Sequence, residues 1–90
     1  MNGFTGVIFG RVQGVGFRYF AKNTADELHL AGWVRNLPDG TVEVMATGPL
    51  PALEQFMHCL KAGPLGSRVE KVDFQWLREP REFKDFEIRG

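Results

Sequence analysis

With 90 residues the chain has room for one domain, and we expect residues 1–90 to form it. Eleven basic and eleven acidic residues cancel, which argues against nucleic-acid binding, because such proteins concentrate Lys and Arg, and gives no support for a membrane-surface role. Cys59 is the single cysteine, so an internal disulfide and a thiolate metal site are excluded. No apolar run approaches the roughly 20 residues of a membrane span. The N-terminus also lacks the features of a secretion signal, and we therefore expect a cytoplasmic protein.

The first half of the chain predicts a strand, a helix and a hairpin. A β-branched and aromatic run over residues 1–12 is typical of a central strand. Apolar residues recur at helical spacing over residues 17–28, and Gly32 is placed to end this helix in a left-handed conformation. Two β-rich runs follow at residues 33–36 and 41–47, and the Pro-Asp-Gly turn between them predicts a hairpin.

The second half predicts a helix over residues 51–61, a strand over residues 69–76 and a short last strand over residues 83–88. The resulting order, β-α-β-β-α-β plus a short terminal strand, is typical of an α+β fold, the ferredoxin-like split β-α-β sandwich. We expect a mostly antiparallel sheet with two helices on one face, and the second strand beside the first. Many unrelated functions use this fold, so it does not identify one.

The loop between the first strand and the first helix carries groups that bind phosphate. Gly14 and Gly16 allow a tight turn that points several N–H groups into one concavity, and the helix start adds further unpaired N–H groups. Arg18 lies in the first helical turn, where the positive end of the helix disfavours a cation, so its presence there suggests a bound anion. The glycines alone could serve only the turn. Together with Arg18 they predict a cradle for a phosphoryl group.

Asn36 ends the second predicted strand, immediately before the hairpin turn. It could serve only as a turn residue whose side chain bonds local backbone. If its strand lies beside the first one, its amide could instead bind a water molecule and an attacked oxygen. His29 and His58 lie on separate predicted helices without carboxylates at ligand spacing, so we predict no metal site.

Both candidates fall within two motifs that resemble the signatures of the acylphosphatase family, and the resemblance covers essentially the whole chain. The first motif is Gly10-Arg11-Val12-Gln13-Gly14-Val15-Gly16-Phe17-Arg18, and the second is Gly32-Trp33-Val34-Arg35-Asn36 followed by Gly40-Thr41-Val42 and Gly48. The resemblance implies an enzyme that hydrolyses the carboxyl–phosphate bond of acyl phosphates to a carboxylate and inorganic phosphate, without a metal or other cofactor.

The resemblance also implies roles for particular residues. Arg18 and Asn36 would be catalytic, the first binding the phosphate and the second orienting the nucleophilic water. The backbone of six residues would form the phosphate-binding cradle: Gln13, Gly14, Val15, Gly16, Phe17 and Arg18. Leu37 departs from the pattern, since some family members carry a threonine after the asparagine, so any support from that hydroxyl must come from elsewhere here. The terminal carboxylate of Gly90 could contact Arg18 as a further support.

Two other functions compete with a free-standing acylphosphatase. One is the acylphosphatase-like domain that begins the carbamoyltransferases of hydrogenase maturation, which continue into cysteine-pair zinc motifs, whereas this sequence ends at Gly90 with one cysteine. The other is a module that binds phosphate without turning it over. As partners we expect a small-molecule acyl phosphate, with phosphate as product and competitive ligand, and neither nucleic acid nor membrane. We expect a monomer.

Overall fold

Five strands form one sheet, and two helices pack on it, in a computed structural model that describes residues 1–90. In chain order the elements are β1 (Asn2–Arg11), α1 (Phe17–Glu27), β2 (Ala31–Asn36), β3 (Val42–Gly48), α2 (Leu50–Ala62), β4 (Arg68–Trp76) and β5 (Phe86–Arg89). The strand order in the sheet is β4-β1-β3-β2-β5, and every neighbouring pair is antiparallel except the parallel pair β2–β5. The predicted ferredoxin-like α+β fold is confirmed. Neither helix has the length and apolar character that a bilayer crossing requires.

The place of the second strand in the sheet differs from the expectation. β3 lies between β1 and β2, so β2 is not beside β1, and the middle position belongs to β3. β2 reaches β3 through a short hairpin turn, and β3 then pairs antiparallel with β1 on its other side. As a result β1 and β2 run parallel to each other, and their carboxyl ends lie at the same edge of the sheet.

The two helices cover one face of the sheet and bury the core there. Val42, Val44 and Ala46 alternate along β3 and are fully buried, as are their neighbours Phe4 and Ile8 on β1. The helices contribute six buried side chains: Phe17, Ala21, Ala25, Leu53, Phe56 and Leu60. α1 packs over β2 and β5, while α2 packs over β1, β3 and β4. The first helix therefore starts near the end of β1 and crosses the sheet to lie above β2.

Two predicted element ends are wrong. α1 ends at Glu27, and His29, with φ of 57°, adopts the left-handed conformation expected of Gly32. Gly32 lies within β2 instead, where a Cβ would collide with the carbonyl oxygen of Met45, so the close approach of two strands requires glycine there. The last strand begins at Phe86 rather than residue 83, because its ladder with β2 starts only where Gly32 N–H donates to Asp85 O.

Candidate active site

A β-bulge in β4 lies opposite the end of β1, just before the loop that precedes α1. The register between β1 and β4 shifts between Phe9 and Gly10, which leaves Glu70 of β4 without a direct partner. Gly10 has φ of 123°, and a Cβ there would collide with the carbonyl oxygen of Arg68. A bulge bends its strand and increases the local twist. The chain then buries Val12, which anchors the start of the loop in the core.

The loop holds its N–H groups free of partners within the main chain. Gly14 and Gly16 have φ of 74° and 76°, in the left-handed region that favours glycine, although open space surrounds both positions. Left-handed residues alternating with others turn successive N–H groups toward one side and make an anion-binding concavity. No backbone carbonyl accepts a hydrogen bond from residues 13–19, so seven consecutive N–H groups remain available. Left-handed glycines and N–H groups without backbone partners are the features that the predicted cradle requires.

The start of α1 adds uncompensated positive charge to this loop. Its N-cap residue, Gly16, offers no capping side chain, and the first turn contains no acidic residue. Arg18 lies in that turn, half-buried, and forms no ion pair with a carboxylate. An anion bound here would satisfy the helix N–H groups and neutralise the guanidinium together.

Asn36 faces the start of α1 from the last position of β2. It pairs with Val42 and shares a sheet face with the fully buried Val34, so its side chain points to the side of the sheet that carries the helices. Its Oδ1 is buried and has no hydrogen-bond partner. A buried acceptor without a donor costs about 1–3 kcal/mol, and native structures rarely keep one without a reason. A water molecule that donates to this oxygen would satisfy it.

Residues of the loop, together with Arg18 and Asn36, line one cavity of about 120 Å³. Seven residues form its wall: Val12, Gly14, Gly16, Phe17, Arg18, Tyr19 and Asn36. The volume is far above the 10–15 Å³ or so that one water needs, yet well below the roughly 300–1,000 Å³ of pockets for drug-sized ligands. A phosphoryl group with an attacking water suits this size, whereas the organic part of a substrate would extend outside.

Asn36 and the loop meet by a different route from the one expected. They were expected to meet through neighbouring strands, but β3 separates β1 from β2. Asn36 and Ile8 both pair with Val42, one from each side of β3, so they lie two strands apart. At the usual spacing of about 4.8 Å between strands, their backbones are about 10 Å apart. α1 closes this gap because its first turn projects from the end of β1 over the end of β2.

Two of the predicted cradle residues point their side chains away from the cavity. Gln13 turns its side chain to the β2–β3 turn, where Nε2 donates to Leu37 O at 2.8 Å and to Thr41 O at 2.9 Å. Val15 packs against the core. The structure thus supplies a contact between the loop and Leu37, the residue at which the sequence departs from the family pattern.

Tyr19 is a lining residue that the sequence analysis did not single out. The residue contributes to the wall of the cavity and is 67% exposed. The only signal in the sequence is its position next to Arg18 in the first turn of a helix.

The hairpin turn after Asn36 is fixed by its own polar contacts. The Thr41 hydroxyl and N–H both donate to Asp39 Oδ1, and these hydrogen bonds hold the pKa of the Asp39 carboxyl below its usual value. Leu37 N–H donates to Thr41 O at 2.9 Å across the same turn.

Other polar groups do not join the cavity. His29 and His58 are exposed, and no ion pair connects Arg18 with the carboxylate of Gly90. No group of three or more His, Cys, Asp or Glu side chains is placed to hold a metal ion. A second cavity, of about 200 Å³, lies between the end of α2 and β4 and shares no residue with the first.

The model of the acylphosphatase family matches residues 4–88. The chain belongs to this family. An acylphosphatase of Thermus thermophilus is 58% identical over 73 residues, which cover 81% of this chain and 83% of the relative. The crystal structure of acylphosphatase from Bacillus subtilis is similar with a TM-score of 0.97 and 41% identity, and the match covers 100% of each chain.

A longer protein contains a similar domain. Full-length HypF, solved in a phosphate- and nucleotide-bound form, matches with a TM-score of 0.80 and 34% identity, covering 100% of this chain and 12% of HypF. The two acylphosphatases match over 83% and 100% of their own length, and the predicted resemblance to the acylphosphatase family is confirmed. The chain is therefore an enzyme, a hydrolase that acts on acyl phosphates.

Proposed function

We propose that the chain hydrolyses the carboxyl–phosphate bond of acyl phosphates through a cradle of backbone N–H groups, one arginine and one asparagine, without a metal. The observation that carries this mechanism is the unpartnered, buried Oδ1 of Asn36, a residue that lines the same cavity as the loop and Arg18. An amide acceptor facing an anion-binding loop is the arrangement that a water molecule needs to sit beside a phosphoryl group.

The loop and Arg18 bind the phosphoryl group. The free N–H groups of residues 13–18 donate to its oxygens, and the guanidinium can donate two parallel hydrogen bonds to them. These donors are in place before substrate arrives, so little reorganisation is needed as charge develops on the equatorial oxygens.

A water molecule held by Asn36 attacks the phosphorus atom. Oδ1 accepts a hydrogen bond from the water, which directs a lone pair of the water oxygen toward phosphorus, while Nδ2 can donate to a phosphoryl oxygen. The water oxygen forms a bond to phosphorus, and the bond from phosphorus to the carboxylate oxygen breaks with its electron pair on the carboxylate. The water protons pass to the phosphate product and to solvent.

No strong acid or base is required for this reaction. A carboxylate leaves unprotonated, because its conjugate acid has a pKa near 4 or so. A loose transition state demands little of the nucleophile, so positioning and electrostatic stabilisation supply most of the rate. His29 and His58 therefore have no part in the mechanism.

Release of inorganic phosphate from a synthetic acyl phosphate such as benzoyl phosphate, with and without EDTA, tests the proposal. We expect equal turnover in both conditions and competitive inhibition by phosphate. Binding of phosphate without turnover would instead favour a phosphate-sensing module, and loss of turnover with EDTA would contradict the metal-free mechanism.

We also propose that one copy of the chain suffices and that it acts in the cytoplasm. Arg18, Asn36 and the glycines of the loop line one cavity within a single chain, so the proposed mechanism requires no residue from a second copy. Analytical ultracentrifugation should then give the mass of one chain. Specific activity should stay constant when the protein is diluted over the same range of concentrations. Cell fractionation tests the compartment.

A further inference from the structure

The side chain of Gln13 joins the two halves of the site. Its Nε2 donates one hydrogen bond to Leu37 O at 2.8 Å and another to Thr41 O at 2.9 Å, so both hydrogens of one amide nitrogen are used. These contacts connect positions 24 and 28 residues apart in the sequence. Gln13 opens the phosphate-binding loop, and Leu37 directly follows Asn36.

The contacts hold the backbone of Leu37, the residue that follows Asn36. Leu37 N–H donates to Thr41 O at 2.9 Å, and Leu37 O accepts from both Gln13 and Gly40 N–H, the latter at 3.2 Å. Both polar groups of Leu37 are therefore held, one within the turn and one by the loop. No hydrogen bond to Oδ1 holds the side chain of Asn36. The orientation of Asn36 therefore depends on the backbone beside it, which Leu37 continues.

We propose that Gln13 is a positioning residue that sets Asn36, and with it the attacking water, against the phosphate cradle. This inference rests on the proposed function, since it assigns Gln13 to the water-orienting step of that mechanism.

Loss of the Gln13 amide should leave the fold intact. Thr41 O keeps its hydrogen bond from Leu37 N–H, and Leu37 O keeps its hydrogen bond from Gly40 N–H. Neither carbonyl is left without a partner, so what changes is the placement of the turn relative to the loop. The backbone N–H groups of the cradle and Arg18 remain.

The Gln13→Met variant tests the proposal, because it keeps the length of the side chain and removes both donors. We expect kcat for benzoyl phosphate to fall about 10- to 100-fold, as a misplacement of about 1 Å can cost. KM and the inhibition constant of phosphate should change less than about twofold, and the circular dichroism spectrum should remain native. Gln75→Met is the matched control, since Gln75 is exposed on β4 far from the loop, and it should retain full activity.

Wild-type kcat in Gln13→Met, or phosphate affinity that falls in parallel with kcat, would overturn the proposal. Absence of turnover in the wild-type chain would refute the proposed function instead, so the two failures are distinct. Should Gln13→Met unfold, Gln13→Asn replaces it. Its amide is one methylene too short to reach both carbonyls, and the same loss in kcat alone is expected.

Discussion

Arg18 is the only charged residue that lines the cavity, and no carboxylate pairs with it. Arg18→Ala should lower kcat/KM by at least 10²- to 10³-fold, or about 3–4 kcal/mol, because it removes a preorganised donor to the developing charge. It should also abolish competitive inhibition by phosphate. Steady-state kinetics with benzoyl phosphate measure both effects.

The matched control for this variant is Arg78→Ala, which removes an exposed arginine from the loop between β4 and β5. Its kinetics should equal those of the wild type. Unchanged inhibition by phosphate in Arg18→Ala would show that the backbone alone captures the anion.

Substitution of Asn36 should impair turnover and leave phosphate binding largely unchanged. Asn36→Ala removes the acceptor that holds the water and leaves the loop and Arg18 in place, so kcat should fall to near background. The inhibition constant of phosphate, or its dissociation constant by calorimetry, should change less than about threefold. An equal loss of phosphate affinity in Asn36→Ala and Arg18→Ala would mean that the two roles are assigned wrongly.

The unpartnered oxygen of Asn36 also predicts a gain in stability when it is replaced. Asn36→Leu keeps a similar shape and removes a buried acceptor that has no donor. Such an exchange can stabilise a protein, and we expect the free energy of unfolding in urea to rise by about 1 kcal/mol while activity is lost. A lower free energy of unfolding would indicate that water already satisfies this oxygen in the free enzyme.

Sequence reasoning found the residues whose type and position carry the signal. Gly14, Gly16 and Arg18 can be recognised because glycines and a cation at a helix start are unusual together. Asn36 needed the family resemblance, since its residue type alone suits an ordinary turn. The contacts of Gln13 could not be predicted, because its partners are backbone carbonyls, which every residue possesses.

At the scale of elements, the loop before α1 depends on left-handed backbone. Gly16→Ala should lower the free energy of unfolding by about 1–2 kcal/mol, because a Cβ disfavours this conformation. It should reduce kcat/KM much more than stability alone explains, since relaxation of the loop turns N–H groups away from the phosphate. Urea unfolding and steady-state kinetics on the same preparation check this.

Gly66→Ala is the control for this backbone effect. Gly66 has φ of 91°, and a Cβ added there would meet no other atom. Gly66 does not line the cavity. We expect a similar loss of stability with unchanged kcat. A normal kcat in Gly16→Ala would show that the cradle tolerates other backbone conformations.

Element types followed from local pattern, whereas element ends and strand neighbours did not. The apolar spacing predicted α1 well, but the residue that ends it in a left-handed conformation is His29. Histidine adopts this conformation much less readily than glycine, so its role could not be predicted from its type. The place of β3 between β1 and β2 arises from pairing across the sheet, which the order of elements alone leaves open. Gly32 serves that pairing and not the helix end.

At the scale of the whole molecule, ligand binding and folding should be coupled. Phosphate at ten times its dissociation constant should stabilise the native state by about 1.4 kcal/mol, if it binds only the folded chain. For a domain of this size that corresponds to a rise in Tm of roughly 5–10 °C. Thermal unfolding followed by circular dichroism measures the shift, and sodium chloride at equal ionic strength is the control.

Arg18→Ala should lose most of this phosphate-dependent shift, while Asn36→Ala should retain it. A shift of the same size in Arg18→Ala would place the bound anion elsewhere. The fold class itself was predictable from the sequence, because ninety residues with this order of elements have few ways to cover one face of a sheet.

The free N–H groups of residues 13–19 belong to the main chain, so no substitution except proline can delete one of them. The contribution of these N–H groups to anion binding therefore depends on the shape of the backbone, whereas the contribution of Arg18 depends on its side chain. Saturation mutagenesis at Val15 should consequently yield many active clones, limited by how well each replacement fills the space against the core. Position 15 therefore has more freedom to vary than its place in an anion-binding loop would suggest.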